Sequence, residues 1–335
     1  MPIRLPSLPE RLRVLAPGLM LAVTVAMAAQ FLSTHYGAPV MLMAILLGMP
    51  LHFLAEDDRA GPGIDFAARG LLRAGVALLG LRVSLDMVAA IGWPFVALIA
   101  ASIAAVILGS IALARRVGQD RAFAMLTGGS VAICGASAAM AISSVLPQRE
   151  RSERDLSFTV ITVTALSTVA MILYPMLAAG LGLDAHQTGL FLGGTIHDVA
   201  QVVGAGYSVS EGTGDIATVV KLIRVTLLAP VVLIAALVLS RTSPATGPRP
   251  PLLPGFVLAF LVLAAANSAH LVPATVVEGA SVLSRALLVA AVAAVGMKTA
   301  LARLAQVGPA AIVMLLVQTA ALAALIGVPL VLGLV

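Results

Sequence analysis

Long, nearly uninterrupted apolar runs fill most of this 335-residue chain and constrain its fold more than any motif does. They cover approximately residues 13–32, 38–55, 66–84, 93–114, 122–146, 156–180, 186–208, 214–240, 253–268, 274–297 and 308–334. Most reach the roughly 20 residues that a helix needs to cross a bilayer. They are rich in Ala and Leu and lack period-two alternation, which argues against a β-barrel. Only 10% of residues are charged and 60% are hydrophobic, whereas soluble domains carry about 25% charge. A globule this size could not hide so much apolar surface. Soluble enzymes, nucleic-acid-binding domains and disordered chains are therefore excluded. The expected fold class is all-α, a polytopic membrane protein of about 9–11 transmembrane segments.

The net charge is +5, and its placement is informative. Basic residues cluster at the N-terminus (Arg4, Arg11, Arg13), at 59–73, at Arg115, Arg116 and Arg121, and at Arg149, Arg151 and Arg154. Further clusters are Arg241 with Arg249 and Lys298 with Arg303. The connections around His35, 184–186 and 267–278 carry neither Lys nor Arg. All basic clusters fall on one side only if 122–146 and 186–208 each enter and leave on the same side, which the positive-inside rule favours. That gives nine crossings and two re-entrant hairpins; two broken but crossing helices are the competing picture. The N-terminus is then cytoplasmic, in the bacterial inner membrane. The first apolar run is too long for a signal-peptide core, although Ala26-Met27-Ala28 faintly resembles a cleavage site, and is read as a retained helix. A short amphipathic stretch spans Leu85 to Gly92, and Arg241 to Pro251 is a Pro-rich linker.

Two internal repeats are visible. Residues 70–92 and 286–308 align with nine identities in 23 positions, among them Gly80 with Gly296. In the topology above these copies run in opposite directions. More weakly, Gly128-Gly129-Ser130-Val131 matches Gly193-Gly194-Thr195-Ile196. Inverted repeats with broken helices meeting near the midplane are a recurring plan of secondary transporters. Small-residue helix packing is the bland alternative.

A helix that breaks inside a membrane leaves backbone groups that must face protein or a polar cavity. Helix N-termini there attract anions. The expectation is that such N-termini lie near Gly128, Gly129 and Ser130 and near Gly193, Gly194 and Thr195, with Ser137 adding a hydroxyl. The serines could equally bond their own helix. His197, Asp198 and Gln201 are polar residues in an apolar run, and intramembrane ionisable groups are functional candidates. His197 and Gln201, four apart, would share a helix face, and His197 beside Asp198 would couple a proton. Asp198 as a plain helix cap is the bland alternative. Lys221 and Arg224 share a face, and two cations against one carboxylate leave room for a transported anion. Cys134 is the sole cysteine, so neither a disulfide nor a CxxC metal site is possible. No cofactor and no metal are expected.

The block Ile133-Cys134-Gly135-Ala136-Ser137-Ala138, the run from Gly194 to Val203, and Lys221 with Arg224-Val225 and Leu228-Ala229-Pro230 together resemble the YeiH-type family. Its members are bacterial inner-membrane proteins assigned to sulfate export, and the likeness covers most of the chain. Many members have Glu where this chain has Asp198, which keeps the charge. The resemblance implies an architecture like that of cation/proton antiporters and bile-acid-type transporters. A core moves against a scaffold, here a single domain with scaffold-like 13–115 and 253–335 and core-like 120–240.

The expected function is export of a small inorganic oxyanion, sulfate or sulfite. Gly128–Ser130, Ser137, Gly193–Thr195, Lys221 and Arg224 would bind it; His197, Asp198 and Gln201 would couple. A cation/proton antiporter is the alternative, and an anion channel is a third reading. An intramembrane enzyme using Cys134 and His197 would lack a third orienting group, so the chain is not expected to be an enzyme. No GxxxxGK[ST] motif is present. The expected partners are the anion and the bilayer, with no nucleic acid and with a homodimer left open.

Overall fold

A computed structural model describes residues 8–82, 89, 91–114, 116, 118–146, 152–239, 255–299 and 309–335. The linker 241–251, Arg115, Arg149, Arg151, Arg303 and the repeat positions Leu85, Leu301, Ala305 and Gly308 lie outside the described residues, as does most of the 85–92 stretch. The described residues are helical and contain no strand. Among the described residues, six helices are long and apolar enough to cross a membrane, and Val40–Ala55, Val199–Val209 and Gly255–Ser268 are shorter apolar helices. Large apolar side chains such as Leu108, Val262 and Leu237 are at least 60% exposed, as lipid-facing residues are.

The chain forms two compact units, 1–82 with 259–300 and 83–258 with 301–335. The first holds α1 (Leu8–Tyr36), α2 (Val40–Ala55), α3 (61–82, with a π turn at Ala67–Leu71), the end of α12 (Gly255–Ser268) and α13 (Ala274–Lys298). Asp65 pairs with Lys298 at one end of α3, while the Ser284 hydroxyl donates to Gly75 O at 2.7 Å further along. Helices α3 and α13 are therefore antiparallel, as the longer repeat requires. The repeat-matched glycines make matching contacts. A Cβ on Gly80 would lie 2.4 Å from Phe260 O, and one on Gly296 would lie 2.5 Å from Ile45 O. With no hydrophobic force between helices in lipid, such backbone approach is what holds them together. Gly296→Val is expected to lower the thermal unfolding temperature of the purified protein, at a cost of about 1–3 kcal/mol or more. Gly279→Ala, on the same helix with open space around it, should change little. Equal shifts for both would contradict the close-approach argument.

The second unit holds α4 (Trp93–Ala114), α5 (Arg121–Ala132), α6 (Ala136–Ser143), α7 (Ser152–Gly180), α8 (Ala185–Thr195), α9 (Val199–Val209), α10 (Glu211–Thr226), α11 (Leu228–Leu239) and α14 (Pro309–Val331). Helices α4 and α14, expected in a scaffold, pack here on the hairpins. Gly128 of α5 abuts Ser110 of α4, and Gln318 of α14 donates to Thr127 of α5 at 3.0 Å.

Both Gly-rich runs break, and both turn back. Asp120 starts α5 by accepting from Phe123 N at 2.8 Å. Helix α6 returns beside α5, since Ile142 reaches Gly129. Phe158, near the start of α7, stacks on Phe123 with ring centroids 5.8 Å apart, so the segment 121–146 ends near where it began. The second hairpin is read against α10. Helix α8 runs parallel to it: Thr213 donates to Ala185 O at 3.0 Å, and Gly193 lies against Ala217 and Val220. Helix α9 runs back, since Gly206 meets Gly214 and the Tyr207 hydroxyl donates to Asp215 at 2.5 Å. Both of its ends therefore lie at the start of α10. Along α7, Phe158 marks the mouth of the first hairpin, and Met171 packs on Gly204 of the second. The two hairpins thus approach from opposite ends of α7, and their tips meet between.

Candidate functional site

Each hairpin tip is a helix end followed by a helix start. Helix α5 ends in the turn 133–135, whose Gly135 has φ +59 and ψ −123, a conformation open in practice only to glycine. Helix α8 ends in an extended stretch, Ile196 with ψ 140 and Asp198 with ψ 150, before α9 begins at Val199. The sequence expectation placed helix N-termini at 128–130 and 193–195. These residues instead close α5 and α8, and the N-termini belong to α6 and α9. The reason is that the glycine pairs remain helical and the chain turns only at 133–135 and 196–198.

Two facing C-terminal ends present unpaired carbonyls, which carry partial negative charge. Arg224 and Lys221, both 0% exposed, answer them. Arg224 Nε and Nη2 donate to Ala132 O at 3.2 and 2.8 Å, and Nη2 also to Val131 O at 3.2 Å. Its Nη1 donates to Gly193 O at 3.0 Å and Ile196 O at 2.9 Å. All five guanidinium N–H groups are thus used. Lys221 Nζ donates to Ile133 O at 2.7 Å and Ile196 O at 3.0 Å. Their shared face holds as expected, and it ties one hairpin to the other.

His197 and Gln201 do not share a helix face, because His197 precedes the start of α9 in the extended stretch. His197 Nδ1 lies 3.2 Å from Val131 O, and Nε2 lies 3.1 Å from the Thr319 hydroxyl. A carbonyl only accepts, so Nδ1 carries the hydrogen, and Nε2 accepts from Thr319 in the neutral ring. Gln201 turns to α7 instead, donating to the Thr168 hydroxyl at 3.4 Å. Asp198 takes Ala136 N of the opposite hairpin at 3.4 Å on Oδ1, and its own N–H donates to Ser167 at 3.0 Å. A Cβ at position 135 would lie 2.0 Å from that Oδ1. Asp198 Oδ2 and Gln201 Oε1 are buried and accept no hydrogen bond of normal length, with the Thr164 hydroxyl standing beside the Asp198 carboxylate.

The Ser130 and Thr195 hydroxyls bond back into their own helices, to Leu126 O at 2.5 Å and Phe191 O at 2.6 Å. These positions match in the shorter repeat, and the repeat extends to this bond. Ser137 sits exposed in the first turn of α6, beside the partly exposed Ala136. Cys134 is buried in the tip turn. Among the described residues, no group of three or more His, Cys, Asp or Glu side chains gathers to hold a metal. Sequence reasoning missed Ser167, Thr168 and Thr319. Their signal was the polar pairs Ser167-Thr168 and Gln318-Thr319 inside apolar runs.

The family model described as conserved hypothetical protein 698 matches residues 17–315. The chain is 58% identical over 311 residues to the UPF0324 membrane protein TauZ of Paracoccus denitrificans, covering 92% of each. It is 56% identical over 317 residues to a UPF0324 membrane protein of Rhizobium meliloti (strain 1021), covering 93% and 92%. Against a UPF0324 membrane protein of Chlorobaculum tepidum it is 51% identical over 313 residues, covering 92% and 87%. A multi-span helical chain with this coverage belongs to the UPF0324 membrane proteins, the YeiH-type family.

Proposed function

We propose that this protein is a secondary transporter that exports a small inorganic oxyanion, sulfate or sulfite, across the bacterial inner membrane. The observation that carries the reading is the meeting of two opposed hairpins at one point. There the N-terminal ends of α6 and α9 offer backbone N–H groups beside Lys221, and Ala136, Ser137, Asp198 and Val199 retain exposure. In this reading a ligand reaches the tips along α5 and α6 from one side and along α8 and α9 from the other, the alternating access of a secondary transporter. Lys221 and Arg224 outnumber Asp198, which favours an anion over the cation of an antiporter. His197, Asp198 and Gln201 respond to occupancy and couple it, because they link the tips to α7 and α14. The buried Cys134 has no assigned covalent step, and the protein is not an enzyme in this reading.

Orientation follows from charge. Arg116, Arg121 and Arg154 lie at the mouth of the first hairpin, whereas 181–186 and 208–213, at the mouth of the second, carry no Lys or Arg. The positive-inside rule puts the first mouth, and by its arginines the N-terminus, in the cytoplasm. A potential negative inside favours anion exit by about 2.3 kcal/mol per charge per 100 mV.

The test is flux of labelled sulfate and sulfite in proteoliposomes of the purified protein under an imposed potential. Saturable flux that falls at least about tenfold in Lys221→Ala is expected, since one lost charged contact is worth about 1.5–3 kcal/mol. Sodium–proton exchange without flux of either anion would overturn the reading in favour of the antiporter.

A further inference from the structure

The second hairpin contains the pattern Asp-x-x-Gln twice, at 184–187 and 198–201, each at the start of a helix. At the mouth, the pattern closes on itself. Gln187 N donates to Asp184 Oδ1 at 2.7 Å, and Asp184 N donates to Gln187 Oε1 at 3.1 Å, a complete capping box. At the tip, the same residues leave the box open. Asp198 N goes to Ser167, Asp198 Oδ1 takes Ala136 N, and no side chain caps α9. Thr168 uses its hydroxyl hydrogen on Thr164 O at 3.1 Å, so it accepts from Gln201 Nε2, which fixes the amide with Oε1 free. Asp198 Oδ2 and Gln201 Oε1, the latter on a residue 1% exposed, are left as acceptors without a hydrogen bond of normal length. Asp198 is the N-cap residue and Gln201 the third residue of α9, so both acceptors belong to the same first turn as its uncapped N–H groups.

A ligand that completes this site must accept hydrogen bonds from N–H groups and also donate one. Charge sets a second condition. The two C-terminal and two N-terminal helix ends cancel at about half a charge each. Lys221 and Arg224 against Asp198, with His197 neutral, leave a net charge of about +1, which a monoanion balances.

Resting on the oxyanion-transporter reading, we propose that the tip site takes a monoanion that carries an O–H group, such as hydrogen sulfite, in preference to a fully deprotonated dianion such as sulfate. Its oxygens accept from the start of α9 and from Lys221, and its one hydroxyl hydrogen goes to either Asp198 Oδ2 or Gln201 Oε1. Asp198 and Gln201 thereby set specificity.

The experiment is competition against labelled sulfite flux in proteoliposomes at mildly acidic pH, where sulfite is singly protonated. The competitors are hydrogen carbonate, nitrate (a monoanion without an O–H) and sulfate. Hydrogen carbonate should compete at concentrations at least about tenfold lower than nitrate or sulfate, because a site built to pair a ligand hydroxyl rejects analogues lacking it. Asp198→Asn removes one negative charge and replaces an acceptor with a donor. Sulfate should then compete at least about tenfold better than in the wild type. Sulfate equal to hydrogen carbonate in the wild type, or nitrate equal to it, would overturn the proposal, and that ranking decides even if the variant does not fold. Sulfite flux with the wrong ranking sinks only this inference, whereas absence of any oxyanion flux sinks the transporter reading and the inference with it.

Discussion

Arg224→Ala should abolish transport and lower stability by roughly 2–6 kcal/mol, about 1–3 for each buried group left without a partner. The losses can be followed carbonyl by carbonyl. Ile196 O keeps Lys221, and Val131 O keeps the His197 ring. Ala132 O and Gly193 O, which close the two first arms, have no other partner among the side chains that reach the tips. The variant also removes the charge that offsets two helix C-termini. Arg224→Lys should fall between wild type and alanine, since one ammonium has three donors where the guanidinium uses five. Thermal unfolding of the detergent-purified variants, with flux measured alongside, checks both points. A wild-type melting temperature in Arg224→Ala would mean that the tips are held together by something else.

Gly135→Ala should eliminate flux while leaving most of the fold intact. Two effects add at this residue. The backbone conformation there is one that L-residues avoid, costing about 1–3 kcal/mol. The new methyl would also stand 2.0 Å from Asp198 Oδ1, so the carboxylate must leave the start of α6. Gly182 separates the two effects. It has φ +72 but open space around it, so Gly182→Ala carries strain without the clash. It should lose about 1 kcal/mol of stability and keep its flux. If both variants transport normally, the contact between Asp198 and the opposite hairpin is not part of the mechanism.

Helices, breaks and cations were legible in the sequence for physical reasons. Apolar length marks a span, Gly-rich polar runs mark a break, and a buried Lys221 or Arg224 needs a counterpart. The break points were not legible. Gly128, Gly129, Gly193 and Gly194 look like helix openings, but they are small so that Ser110, Ile142, Val220 and Ile326 can approach. A shift of only a few residues reverses the polarity of the helix end, from one that attracts anions to one that attracts cations. The same shift undid the expected pairing of His197 with Gln201, since helical spacing stops at the extended stretch. Partners separated by 62 and 122 positions, Asp198 with Ala136 and His197 with Thr319, leave no periodic trace. The mouth and tip copies of Asp-x-x-Gln read alike in sequence, and only their surroundings separate a closed box from an open one.

The central claim is that two hairpins dip from opposite faces and meet, and it can be tested by sidedness. In a Cys134→Ser background, single cysteines replace Ala122 and Leu146 at the ends of the first hairpin and Ala185 and Val209 at the ends of the second. Each is labelled with a membrane-impermeant thiol reagent in oriented vesicles. The account predicts that 122 and 146 react from one side and that 185 and 209 react from the other. Labelling of 185 and 209 from opposite sides, or of 122 and 146 from opposite sides, would mean that the segment crosses the membrane, and would contradict the account.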